Sequence, residues 1–307
     1  MSAVRDFNGD GTSDLLLQNS NGTVEDQTVQ SDRVTGTSVL GTLSSDTHIQ
    51  GTGDFNGDGT SDVLLRNDAG AVSLWTVQNG HVASTTSLGT FGNDWHIQGV
   101  GDFNGDHTSD ILWRNDSGSV AISTMQNGHV ASTVGVAGLS NDWKILGVGD
   151  LNGDGTSDIL LGHTATGTLG YWDIKNNGVA GFGTVTDPAN HGAAAQFDLS
   201  SFAGLSDVTG DGTADLVFKT GAGFATYGIT DNHIDDSHIT AIRLTSPGAS
   251  APSIGEVVAG GEYGTDGQGD FVYHDNSAGT VVAEDFDGQG GVGSHVLASI
   301  GNDWHLV

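Results

Sequence analysis

Oxygen-bearing side chains recur along this chain at a spacing suited to holding a hard cation. In the stretch DFNGDGTSD, Asp6, Asn8, Asp10 and Asp14 stand at loop positions 1, 3, 5 and 9, with Thr12 at position 7. Alternate residues of a tight loop reach one centre, so these side chains and the position-7 carbonyl can wrap a single ion, as at the front of an EF-hand loop. The pattern returns at Asp54, Asn56, Asp58, Thr60 and Asp62, then at Asp102, Asn104, Asp106, Thr108 and Asp110. It returns again at Asp150, Asn152, Asp154, Thr156 and Asp158, and at Asp207, Thr209, Asp211, Thr213 and Asp215. Thr209 replaces the usual Asn, and His107 stands where the other loops have a turn glycine, a position that favours positive φ. A degenerate stretch from Glu262 to Asp270 has Gly264 in place of the position-3 ligand. Calcium is the expected cofactor at five loops, and a sixth site at Glu262 to Asp270 stays open. The competing reading is a set of Asx turns with no ion.

A second recurring group is Asp94-Trp95-His96, echoed by Asp142-Trp143 and by Asp303-Trp304-His305. A tryptophan face with flanking acids and imidazoles can seat a sugar ring and bond its hydroxyls. The same tryptophans can instead pack one structural unit against the next. Trp75 and Trp172 fall at matching places near the middle of third strands and are expected in the core, and Trp113 falls in a second strand. His81 and His129 repeat in an Asn-Gly-His-Val turn, so they belong to the repeat and form no unique constellation. Asp235-Asp236-Ser237-His238 reads as an exposed polar turn, and HExxH and GxSxG motifs are missing.

What must position the loops is a repeat. They start at Asp6, Asp54, Asp102, Asp150, Asp207 and Glu262, at intervals of 48 residues through the first four and then 57 and 55. One period, residues 95 to 143, reads as four short strands: His96 to Phe103, Asp110 to Asn115, Ser119 to Met125 and His129 to Val136. The Asn127-Gly128 pair makes a hairpin turn. Four antiparallel strands per period predict a propeller blade, hence a single all-β domain over 1–307 with six blades. The end Asp303-Trp304-His305-Leu306 matches the start of a first strand, and Ala3-Val4-Arg5-Asp6 matches its finish, so the two termini are expected to share a strand and close the ring.

Composition agrees with a folded, cation-binding chain. Against 38 Asp and Glu there are 8 Lys and Arg, a formal net charge of −30, which repels nucleic acid and anionic membranes. There is no Cys for a disulfide framework or thiolate site, and no apolar run long enough to insert in a membrane. Met1 to Asp10 reads as no secretory leader.

DFNGDGTSD followed by DILWRN resembles the FG-GAP/VCBS repeat family, closely in the first four periods and loosely in the last two. That family includes the integrin α propeller, a fungal propeller lectin that binds N-acetylglucosamine between blades, and many bacterial surface proteins. The resemblance implies a calcium-binding propeller outside the cell or on its surface, monomeric, with a glycan or a surface protein as partner. The leading expectation is a multivalent carbohydrate-binding module without enzymatic activity. Alternatives are a structural or protein-interaction domain of a larger adhesin, and a propeller hydrolase or lyase.

Overall fold

A computed structural model describes residues 5–187, 193–221, 223–231, 233–243, 254–263, 269–286, 292–301 and 303–307. Among them the chain forms six antiparallel sheets, each with four principal strands. Blade 2 shows the plan: Thr47–Gly53, Asp62–Asn67, Ala71–Gln78 and His81–Thr90, paired in that order. Blade 3 repeats it with Trp95–Gly101, Asp110–Asn115, Ser119–Gln126 and His129–Gly138. In blade 4 the strands are Trp143–Gly149, Asp158–His163, Leu169–Lys175 and Gly178–Thr184. Blade 5 has Phe202–Ser206, Asp215–Thr220, Gly223–Thr230 and His233–Arg243. Blade 6 has Ile254–Gly261, Asp270–Asp275, Thr280–Phe286 and Val292–Ser299.

Blade 1 takes its strands from both ends of the chain. Trp304–Leu306 pairs with Leu15–Asn19, which continues into Thr23–Val29 and Val34–Thr42. Further along the same edge Arg5 O accepts from Asp14 N at 3.0 Å. The C-terminal strand and Arg5 thus lie along one edge of blade 1, while Ala3 and Val4, expected to finish the shared strand, lie outside the described residues.

Each blade is a twisted sheet with two apolar faces, so burial happens between blades. Six core clusters result, one per junction. Phe55, Leu64, Val72 and Leu74 of blade 2 meet Ile111, Trp113, Ala121 and Met125 of blade 3. The seam is closed in the same way by Leu15, Leu17, Val29 and Leu306 against Tyr263, Val272, Val281 and Ala283. First strands crowd together at the centre, and glycine permits it: a Cβ on Gly101 would stand 2.6 Å from Ser157 Oγ and from Val148 Cγ1.

The longer fifth period holds no additional blade. Thr186–Asp187 and Ala193–Ala194 extend the outer edge of blade 5, and a short 3-10 helix, Leu199–Ser201, leads into its first strand. Asp235 to His238, expected as a turn, instead lie in a strand, at a register shift where Gly228 pairs with Asp235 and Tyr227 with Ile239. Residues 264–268 of the sixth loop lie outside the described residues. No described helix is long and apolar enough to cross a membrane.

Candidate functional site

Each Asp loop joins the first strand of a blade to the second. Its position-9 carboxylate stands at the start of the second strand, as the first strand residue at Asp62, Asp110, Asp158 and Asp215 and just before the strand at Asp14, and all five are fully buried. Asp14 Oδ2 accepts from Phe7 N and Oδ1 from Val29 N, both at 3.0 Å. Asp62 does the same with Phe55 N at 3.2 Å and Val77 N at 3.0 Å. The position-1 carboxylate gathers the turn, for Asp6 accepts from the backbone N of Asn8, Gly9, Asp10 and Gly11. Thr12 Oγ1 lies 2.6 Å from both Asp10 Oδ1 and Val29 O, tying the loop to the third strand. Position 6 is left-handed in the five loops described in full, with φ of 90° at Gly11, 88° at Gly59 and 66° at His107. His107 adopts the backbone its place in the repeat demands, at some cost in strain.

Burial decides the electrostatics. It pushes the Asp14 carboxyl up to about 8, with the charge of Asp26 adding to it, and those of Asp62, Asp110, Asp158 and Asp215 up to about 7. Burial also raises the position-5 acids, but hydrogen bonds outweigh it and hold Asp10, Asp58, Asp106 and Asp154 below the ordinary range. The donors are the loop threonines, with Asn56 and Asn104 at Asp58 and Asp106, and with Gln30, Gln78 and Lys175 reaching Asp10, Asp58 and Asp154 from the end of the third strand. The loop carboxylates are turned onto amide donors, and no loop brings three carboxylates within 4.8 Å of one another; among the described residues only Asp32, Asp285 and His295 come together that closely. The donor set itself is all oxygen, with three acids per loop, which suits a hard divalent cation and not one that seeks sulfur or imidazole.

The loops also join neighbouring blades, which the repeat pattern does not reveal. Position-8 N donates to the position-1 carbonyl of the preceding loop: Ser61 to Asp6, Ser109 to Asp54 and Ser157 to Asp102, each at 2.7 Å. Ala214 to Asp150, Gly269 to Asp207 and Ser13 to Glu262, each at 2.6 Å, complete the circle. The position-2 residues Phe7, Phe55, Phe103, Leu151, Val208 and Tyr263 are all buried in junction cores. Their carbonyls receive the next hairpin, as when Gly80 N donates to Phe7 O at 2.9 Å and Gly128 N to Phe55 O at 3.0 Å.

The Asp-Trp elements are spread over blades 1, 3 and 4, and the structure does not gather them into one site. Carbonyls of Asp94, Asp142 and Asp303 accept from Asp116 N, Thr164 N and Ser20 N, bracing a turn of their own blade. His96 Nε2 pairs with Asp116 Oδ1 at 2.9 Å. Trp95, Trp143 and Trp304 are half-buried against junction cores. Arginines from the preceding blade grip the connectors. Arg66 donates to Trp95 O and to Gly92 O, and Arg114 Nη1 donates to Trp143 O at 2.8 Å.

The junction between blades 2 and 3 departs from its two neighbours at one place. Between blades 2 and 3, Phe91 stacks on Trp113 with centroids 4.1 Å apart, and Arg66 lies over the indole. At the corresponding positions stand Leu139 and Leu161 between blades 3 and 4, and Leu43 and Leu65 between blades 1 and 2, so neither of those junctions has the stack. Between blades 3 and 4 a cavity of about 310 Å³ opens, lined by Trp143, Tyr171, Trp172 and Phe182 with Ser140 and Leu139. Gly170 keeps it clear, since a Cβ there would meet the Trp143 ring at 3.0 Å. Phe182 is 79% exposed. Trp143 was readable as a candidate from the repeat, whereas Tyr171, Trp172 and Phe182 join it only through strand pairing.

Comparison with known proteins agrees with this architecture. Residues 54–113 and 102–161 match the family model FG-GAP-like repeat. No curated protein matches the chain. Among solved structures, a lectin of Agrocybe aegerita described for specific recognition of non-reducing terminal N-acetylglucosamine superposes with a TM-score of 0.56 at 18% identity, covering 97% of this chain and 84% of that chain. A chain of the Photorhabdus luminescens Tc holotoxin pore superposes with a TM-score of 0.58 at 16% identity over 88% of this chain, which spans 13% of that chain. With loops, blade plan and ring closure in hand, the chain is a six-bladed β-propeller in which residues 54–161 match FG-GAP-like repeats.

Proposed function

We propose that this propeller is an extracellular or cell-surface glycan-binding module, without catalytic activity, whose Asp loops hold calcium as part of the scaffold. The cavity between blades 3 and 4 carries the reading. Its volume lies at the small-ligand end of binding pockets, of roughly 300–1,000 Å³. Indole and phenol faces stack on the apolar face of a pyranose, and the Ser140 hydroxyl and rim carbonyls can meet its hydroxyls. The sugar specificity of the similarly folded Agrocybe lectin supports the ligand class.

Titration of the intact protein with N-acetylglucosamine, backed by a glycan array, tests this. Leu161→Trp combined with Leu139→Phe would rebuild the stack found between blades 2 and 3. The double variant is expected to keep its melting temperature and lose sugar binding. Retained binding in that variant would place the ligand elsewhere.

For calcium, the support is the oxygen-only donor set repeated in five loops. Each site is expected to stabilise the native chain by about 2.7 kcal/mol at a calcium concentration 100-fold above its Kd. Excess chelator should therefore lower the melting temperature, and an unchanged transition would refute structural calcium. A second reading, a protein-interaction domain of a larger surface assembly, is favoured by the propeller's likeness to a small part of a holotoxin chain. Capture of a protein partner that free sugars do not displace would select it.

A further inference from the structure

Asp26 is a fully buried carboxylate in the third strand of blade 1, and neither of its oxygens has a hydrogen-bond partner. Strand register shows how unusual this is. Asp26 pairs with Leu16, and the residues at the same register in blades 2 to 6 are Leu74, Ile122, Tyr171, Thr226 and Ala283. It is the one carboxylate at this place in the ring.

That place is the floor of the Asp loop. In blade 2, the incoming hairpin glycine, Gly128, would with a Cβ touch both Asn56 of the loop, at 3.6 Å, and Leu74, at 3.7 Å. At the first loop the matching Gly80 would approach Asp26 Oδ2 at 3.0 Å while its N–H holds Phe7 O at 2.9 Å. The charges felt most strongly by Asp26 are those of Asp6 and Asp10. Loop geometry differs accordingly. Asn56 Nδ2 and Asn104 Nδ2 donate to the position-5 acids Asp58 and Asp106, whereas Asn8 Nδ2 turns to Asp14, at 3.2 Å from Oδ2.

A buried, unpartnered carboxylate in the field of three others, Asp6, Asp10 and Asp14, is held in a fold when a cation balances it. We infer that Asp26 is a fourth carboxylate ligand of the divalent cation in the first loop, making that loop the tightest of the calcium sites. The inference rests on the calcium reading above and extends it to a residue outside the loop motif. Affinity in oxygen-ligand loops rises with the number of charged ligands, and the other loops have apolar or neutral residues where Asp26 stands.

Calorimetric calcium titration of the intact protein, of Asp26→Leu and of Asp26→Asn tests it, with melting curves in calcium and in chelator. Leu is the residue blade 2 carries at this register, and Asn preserves the shape. The wild-type chain should show one step tighter than the rest, weakened by about 10-fold or more in both variants while the remaining steps persist. In chelator, Asp26→Leu should melt above wild type, because an unpaired buried charge is gone. A wild-type chain that binds no calcium overturns the calcium reading itself. Calcium binding that is superposable in wild type and both variants overturns the role of Asp26 alone.

Discussion

Glu284 shows at residue scale how burial sets behaviour that spacing does not announce. It is fully buried in the third strand of blade 6, with Ser294 Oγ donating to Oε2 at 2.8 Å and Oε1 unpartnered. Burial pushes its carboxyl up to about 7 from 4.5. The folded chain therefore holds a proton that the unfolded chain releases, and this contribution to stability is present below pH 4.5 and lost as pH rises through about 7. Glu284→Gln keeps the shape and removes the titration. Its melting temperature, measured in saturating calcium, should fall less between these limits than that of wild type; parallel curves would contradict the assignment. Loop residues such as Asp54 and Asp58 were legible because a tight turn brings them together within nine residues. Asp26 and Glu284 were not, since their burial comes from strands and hairpins remote in sequence.

At the scale of elements, the second-strand arginines join one blade to the connector of the next. Arg114 donates to Trp143 O, Leu139 O and Ser140 O at 2.8, 3.2 and 3.1 Å, beside the candidate cavity. Replacing it with alanine leaves these carbonyls without that donor, at a cost of about 1–3 kcal/mol. Arg114→Ala is thus expected to lower the midpoint of denaturant unfolding with little change in its slope, and to weaken any ligand bound against Trp143. Strand boundaries followed from alternation and turn signals to within about two residues, as with Ser119–Gln126 and His129–Gly138. Asp235 to His238 escaped that reading, because polar residues at a register shift look like a turn when the pairing partner is unknown.

For the whole molecule, closure is the cooperative event. Leu306 fills the seam core, Trp304–Leu306 pairs with Leu15–Asn19, and Val307 N donates to Leu16 O at 3.0 Å. Deleting residues 304–307 strips blade 1 of its first strand and exposes the seam. The truncated chain is expected to lose its single sharp melting transition, as read by calorimetry and by binding of a hydrophobic dye. A transition like that of wild type would show that the seam contributes little. The formal charge of −30 adds to the demand for closure, since repulsion among acids opposes a compact ring.

Local chemistry was enough to read the fold: a nine-residue turn and a two-residue alternation act over short distances, so repeat, blade and ring followed from spacing alone. In the sequence each loop read as a cation site belonging to one repeat. Packing of blade on blade gave them a second role, through the circle of bonds from position 8 to position 1 and through the buried position-2 side chains. The cavity, like Asp26, belongs to that later level. Leu139 and Leu161 look like ordinary core residues, as Leu43 and Leu65 do at the same places between blades 1 and 2. Only strand pairing, which sets Tyr171, Trp172 and Phe182 beside Trp143, shows the space next to them. Volume left between two surfaces is a property of both, and neither strand encodes it alone.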